Sequence, residues 1–156
     1  MRRSFGSVSS LILLALTLPC GAATGRVIKV LPFLLDMQGR HSLSASLFER
    51  DAYQAFLRQN PDKISGLLYS VHWKAKGRTA APLKLTLELR GIAEGNLPRQ
   101  LVLEQTVPSS GGRLFGRWAG LILTGQQRKD FGEVTAWRVT LWEGERRLGE
   151  QRSFLW

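Results

Sequence analysis

The sequence predicts an all-β chain: a seven-stranded antiparallel β-sandwich with one short helix inserted between the first two strands. Three observations carry this. From Gly66 onward, apolar residues recur at every second position, the period of a strand with one dry and one wet face. Turn residues interrupt that pattern at short intervals, as in sandwiches. Between Ser46 and Arg58 the period becomes helical.

The first strand is expected at Val27 to Leu31, and Pro32, which has no N–H to donate, marks an edge or a bulge. The following "DMQGRHSLSAS" is polar and reads as loop. Ser46 and Glu49 then have the S-x-x-E spacing of a capping box, in which each side chain satisfies a free backbone N–H. Phe48, Ala52, Ala55 and Phe56 follow at helical spacing, with Leu47 and Leu57 beside them. Arg58 suits the last turn and Asn60-Pro61 stops the helix. The stretch 39–63 is therefore a loop-helix insertion, expected to pack through Phe48 and Phe56.

In "GLLYSVHWKAK", Leu67, Tyr69, Val71, Trp73 and Ala75 share one face; Leu68, Ser70, His72 and Lys74 share the other. "PLKLTLELRG" places Leu83, Leu85, Leu87 and Leu89 inward, and Lys84, Thr86, Glu88 and Arg90 outward. "RQLVLEQTV" aligns Leu101, Leu103 and Val107. "LFGRWAGLILTG" is apolar on both faces around Trp118 to Leu123, with Gly116 and Gly120 suggesting a bulge. "VTAWRVTLW" directs Trp137, Val139 and Leu141 inward, and Arg138, Thr140 and Trp142 outward. Gly144 in "EGE" suits a hairpin turn, and "RRLGEQRSFLW" returns as the final strand, closed by Trp156.

Two of these segments carry a resemblance. "LLYSVHWKA" is similar to the second strand of fibronectin type III domains, with Trp73 at their buried tryptophan. "FGEVTAWRVTLWEG" resembles their sixth strand, L-x-P-x-T-x-Y-x-V-x-V. Phe131 stands at the leucine, Thr135 at the threonine, Trp137 at the tyrosine, and Val139 and Leu141 at the valines. Glu133 replaces the proline, and Trp137 lacks the hydroxyl that makes the family's tyrosine corner. The resemblance spans Gly66 to Trp156 and implies a fibronectin-III-like or immunoglobulin-like sandwich. The chain as a whole looks like small exported bacterial proteins, a likeness that implies no activity.

The chain has 156 residues, enough for one domain with a core. Arg2 and Arg3, the apolar run Leu11 to Leu18 and the small residues Gly21 to Ala23 form the pattern of a signal peptide over residues 1–23. The run falls short of the roughly 20 residues a spanning helix needs. "RRSF" matches the twin-arginine motif only partly, so the general secretory route is expected. Cys20, the only cysteine, follows Pro19, which a lipobox does not accept, so it is read as part of the leader. The mature domain 24–156 then has no cysteine, which excludes a thiol nucleophile, a disulfide and a cysteine metal site. Losing Arg2 and Arg3 lowers Lys+Arg from 22 to 20 against 12 acidic residues, a net charge of +8. Such a basic surface suits an anionic envelope polymer or an envelope protein, or is simply solvated. No nucleic-acid motif accompanies it, so no nucleic-acid partner is expected, and no spanning segment is expected in the mature form.

Catalytic motifs are missing: there is no G-x-S-x-G, H-E-x-x-H, P-loop or G-x-G-x-x-G. His72 lies outward beside Lys74, a poor metal setting. His41 lies near Asp36, Arg40 and Ser42, a combination that loops also use for local hydrogen bonds. Glu49, Asp51 and Asp36 could supply paired carboxylates, but Glu49 reads as a cap and Asp51 as a solvated charge. No enzymatic activity, metal or cofactor is therefore expected. The leading expectation is a non-catalytic exported binding or structural module, with loop residues Asp36, Arg40 and His41 as candidate ligand contacts. The alternative is a carbohydrate-binding module using an exposed face with Arg138 and Trp142, or Trp118. A small hydrolase comes third. Trp142 is expected to be covered by the inserted helix rather than exposed.

Export has a direct test. N-terminal sequencing of the secreted form should find a mature chain beginning near Thr24; an intact Met1 in a soluble cytoplasmic fraction would overturn it.

Overall fold

The computed structural model describes residues 23–77, 79–109 and 116–156. Residues 1–22 of the expected leader, with Cys20, and Leu114 and Phe115 ahead of the fifth strand, lie outside the described residues.

Strand alternation sets the architecture. The strands are β1 (Thr24–Asp36), β2 (Ile64–Lys76), β3 (Leu83–Ala93), β4 (Leu97–Val107), β5 (Arg117–Thr124), β6 (Glu133–Glu143) and β7 (Arg146–Arg152). They form two antiparallel sheets, β1-β2-β5 and β4-β3-β6-β7. Tyr69, Val71 and Trp73 of β2 point into the core, as do Leu83, Leu85, Leu87 and Leu89 of β3. Val139 and Leu141 of β6 and Leu121 and Leu123 of β5 complete it. Burial pushes the Tyr69 phenol well up.

Between β1 and β2 comes helix α1 (Leu47–Gln59), followed by a 3₁₀ turn at Pro61–Lys63. The Ser46 hydroxyl accepts from the Glu49 N–H at 3.4 Å, the serine half of the capping box. The Asn60 N–H closes the far end on the Leu57 carbonyl. A second helix, α2 (Gly125–Phe131), was not expected. It has a complete capping box, in which the Gln127 amide oxygen accepts from the Thr124 N–H at 3.2 Å. It ends at Gly132, whose φ of 83° favours glycine and where a Cβ would meet the Ile92 carbonyl at 2.2 Å.

Several expectations are corrected. Phe48 is 82% exposed and Phe56 40%, whereas the helix buries Gln54 and Leu57. Those residues share a helix face with Arg50 and Tyr53, on the side of the helix opposite Phe48. Helix α1 lies against β1, so it does not cover Trp142 on the other sheet. Trp137 faces the core but is only half-buried, its ring edge-on to Tyr69 at 6.3 Å. The register of β5 on β2 runs unbroken from Arg117 to Thr124, without the bulge suggested by its glycines. The shifts fall instead at Val27/Lys29 and Leu35/Asp36 of β1, at Arg90/Gly91 of β3, and at Leu141/Trp142 of β6. Strand β1 is longer than expected and is an edge, consistent with Pro32. Strand β7 stops at Arg152, before Trp156.

The sheets close where β1 meets β7: a Cβ on Gly149 would lie 2.7 Å from the Arg26 Cα. At the other end of that seam they part. Strand β7 pairs with β6 only from Arg138 onward. Before that point Ser153 takes over, accepting from the Trp137 N–H at 3.0 Å and donating its own N–H to the Trp137 carbonyl at 2.9 Å. Earlier still, Pro32 and Leu34 of β1 face Gly132 and Val134 across a gap.

Replacing Trp73 with alanine should destabilise the domain by about 3–5 kcal/mol in urea melts. Trp137→Ala should lose less, and Phe48→Ala should stay within about 0.5 kcal/mol. A Phe48→Ala loss above about 2 kcal/mol would mean that the ring is buried.

Candidate functional site

The loop after β1 is organised around one carboxylate. Asp36 is 3% exposed. Its Oδ1 accepts from the Gln38 N–H at 2.9 Å and the Arg40 N–H at 2.8 Å. Its Oδ2 accepts from the Arg40 guanidinium at 2.8 Å and the Tyr53 hydroxyl at 2.7 Å. Burial alone would raise this carboxyl; hydrogen bonds from Tyr53, Arg40 and Gln38 outweigh it and hold the pKa down at about 2. The Ser65 hydroxyl donates to the Asp36 carbonyl, tying the loop to β2. The loop is thus held from α1, from β2 and from within.

Gln54 makes the second tie. Its amide oxygen accepts from the Leu34 N–H at 2.8 Å, and its amide nitrogen donates to the Leu34 carbonyl at 2.9 Å and the His41 carbonyl at 2.8 Å. One side chain therefore satisfies both backbone groups of Leu34 on an edge strand. The His41 ring stacks on Phe33 at 4.9 Å, and the Arg50 guanidinium lies 5.2 Å from the same ring. Arg40 thus engages Asp36 while the His41 ring turns to Phe33, and both sets of contacts hold the loop and helix on β1.

Arg138 and Trp142 lie on the outer face of the four-stranded sheet. The Arg138 guanidinium grips Glu88 with two hydrogen bonds, of 3.0 and 2.6 Å. It also lies 4.7 Å from the Trp156 ring, with Arg90 at 4.1 Å, so the chain end folds under two cations. The Trp142 Nε1–H donates to the Thr86 hydroxyl at 2.9 Å. Glu143 is held below the usual carboxylate range by its ion pair with Arg146, helped by the Ala80 N–H. Trp118 is 54% exposed and stacks on His72 at 4.8 Å on the outer face of the three-stranded sheet.

The gap where the sheets part is a cavity of about 690 Å³. Its floor is apolar, with Leu34, Ile64 and Leu67 from the first sheet and Val134 from the second. Its rim is cationic: Arg58 comes from the last turn of α1, and Arg128 and Lys129 from the last turn of α2. None of the three makes an ion pair among the described residues. Glu133 is the one acid in the lining. Cations suit helix C-termini, where carbonyls are unpaired, and this local preference accounts for their place in sequence. The fold then brings both helix ends to one opening. Sequence reasoning did not single out these residues, and with α2 unexpected no signal joined Arg58 to Arg128.

Among the described residues no group of three or more His, Cys, Asp or Glu could hold a metal ion, and no helix is long and apolar enough to cross a membrane. None of the family models, curated proteins or solved structures compared with the chain matches it.

The Asp36 cluster has a pH signature. Its folded pKa of about 2 lies below the unfolded value of about 3.9. The carboxylate therefore contributes stability that is complete above the unfolded value and lost as pH falls through the folded one. Asp36→Asn should be less stable than the wild type near pH 7 and should lose less between about pH 4 and pH 2. Parallel declines in thermal melts over that window would overturn this assignment.

Proposed function

We propose that the chain is a non-catalytic exported binding module that takes an anionic ligand in the groove between the ends of α1 and α2. The carrying observation is the pairing of an open cavity with three cations, Arg58, Arg128 and Lys129, none of them in an ion pair among the described residues. A concave site with an apolar floor and a few convergent polar groups is the form binding sites usually take. Such cations raise the local concentration of anions and hold them once bound.

We also infer a fibronectin-III-like sandwich. The fourth strand pairs with the third, whereas in a constant immunoglobulin domain it lies beside the fifth. The side-chain pattern of the sixth strand supports the same reading: Thr135, Trp137, Val139 and Leu141 alternate, and the last three face the core. Export is part of the proposal and rests on the leader pattern of residues 1–23. Partners then belong to the cell envelope: an anionic polymer, a glycan, an envelope protein or a lipid-like anion.

A second reading, carbohydrate binding, is favoured by one observation, the exposed Trp118 stacked on His72. Arg138 and Trp142 suit it less, because Glu88 and Thr86 already engage their polar atoms.

The test is equilibrium binding of an anionic panel (oligogalacturonate, polyphosphate and dodecanoate) beside neutral counterparts. At least one anion should bind the wild type. Arg58→Glu with Arg128→Glu should weaken it by roughly a hundredfold, from two charge-assisted contacts at about 1.5 kcal/mol each. The melting temperature should fall by only a few degrees, because each reversal forfeits a helix-end contribution of about 0.3–1 kcal/mol. Binding that survives this double reversal would remove the groove as the site.

A further inference from the structure

Resting on the reading of the groove as an anion site, we propose that its ligand is an anionic amphiphile: a single-chain carboxylate whose head meets Arg58, Arg128 and Lys129 and whose tail lies on Leu34, Ile64, Leu67 and Val134. Two features of the lining favour this over an acidic sugar polymer.

The first is the scarcity of usable hydrogen-bonding groups below the rim. A sugar presents a hydroxyl on nearly every carbon and needs matched donors and acceptors. The groove contains one side-chain amide, Gln54, and all its engaged atoms point elsewhere: the oxygen to the Leu34 N–H, the nitrogen to the Leu34 and His41 carbonyls. Pro32 and Pro61 bring no N–H to the lining. Beyond the cations, the polar side chain left is Glu133, which repels an acidic polymer.

The second is the separation of charge from apolar surface. The cations come from the two helices, whereas the floor comes from the strands and from Ile64, where β2 begins. A ligand that satisfies both must itself have a charged end and an apolar body. Leu34, Leu67 and Val134 are only half-buried, so a hydrocarbon chain laid over them would remove their remaining apolar surface from water.

The stacked His72–Trp118 face is a separate surface. Its exposed apolar side chains, Trp118 and Ile122, lie on the outer surface of the three-stranded sheet, whereas Leu67 points from the opposite face of β2.

The experiment is a titration of the mature protein with saturated carboxylates of increasing length, acetate, octanoate, decanoate and dodecanoate, each below its micelle concentration. Dodecanol serves as the uncharged partner and oligogalacturonate as the acidic polymer. Affinity should rise roughly tenfold for each two methylenes added between octanoate and dodecanoate, as burial of methylenes requires. Dodecanol should bind at least about tenfold more weakly than dodecanoate. The triple variant Arg58→Gln, Arg128→Gln, Lys129→Gln should lose the preference for the carboxylate while still unfolding cooperatively within a few degrees of the wild type.

Oligogalacturonate binding that the triple variant abolishes, with no dependence on chain length among the carboxylates, would overturn the amphiphile and leave the anion groove standing. Absence of binding by every anion would overturn both. Dodecanoate binding of equal strength in the triple variant would show adhesion elsewhere on a basic surface, and would also overturn the inference.

Discussion

Four leucines at alternate positions of β3 hold this molecule together. Leu83, Leu85, Leu87 and Leu89 are each at most 1% exposed, and they share the core with Tyr69, Val71 and Trp73 of β2. Strands β2 and β3 occupy inner positions in their sheets, so the sheets meet through these residues. Residues 24–156 contain no cysteine, and apolar burial is left to do what a disulfide does in many exported domains. Burying a leucine contributes about 1.5–3 kcal/mol, so these four are among the larger favourable terms. The outer faces and the seam ends are held by polar contacts instead, such as Arg138 on Glu88 and Ser153 on Trp137.

That division explains what was legible in the sequence. Alternation is a property of neighbours in the chain, and it revealed the strands, their inner faces and the Gly144 hairpin. Helix α1 was legible from Ser46 at one end and Asn60-Pro61 at the other. Its buried face was not. Apolar periodicity pointed to Phe48 and Phe56, but the position nearest the strand edge needed an amide, and Gln54 took it. A buried glutamine looks polar in any hydrophobic pattern. Helix α2 escaped notice because seven residues with little apolar content have no face to read; Thr124-x-x-Gln127 before Gly132 was its available signal.

The groove was hidden for a different reason. Arg58 and Arg128 lie far apart in the chain, and each has a sufficient local reason to sit in the last turn of a helix. Only the parting of the sheets beyond the reach of β7 makes them neighbours of one cavity. The loop residues show the converse. Asp36, Arg40 and His41 look like a site because polar side chains cluster there, and they cluster because a long connection over β1 must satisfy its own backbone. A carboxylate that accepts four hydrogen bonds from its own loop and from helix α1 has little capacity left for a ligand.

Gln54 has a meaning beyond the loop it fastens. The outer rim of β1 is a row of backbone donors and acceptors, the surface on which another chain can nucleate a mismatched ladder. At Leu34 the glutamine amide occupies both positions, imitating the peptide group of a neighbouring strand. Two residues earlier, Pro32 removes a donor outright. The inserted helix thereby blunts that template at Leu34: an approaching strand finds both backbone groups already engaged. It does so through a polar contact, an amide standing where the peptide group of a next strand would stand.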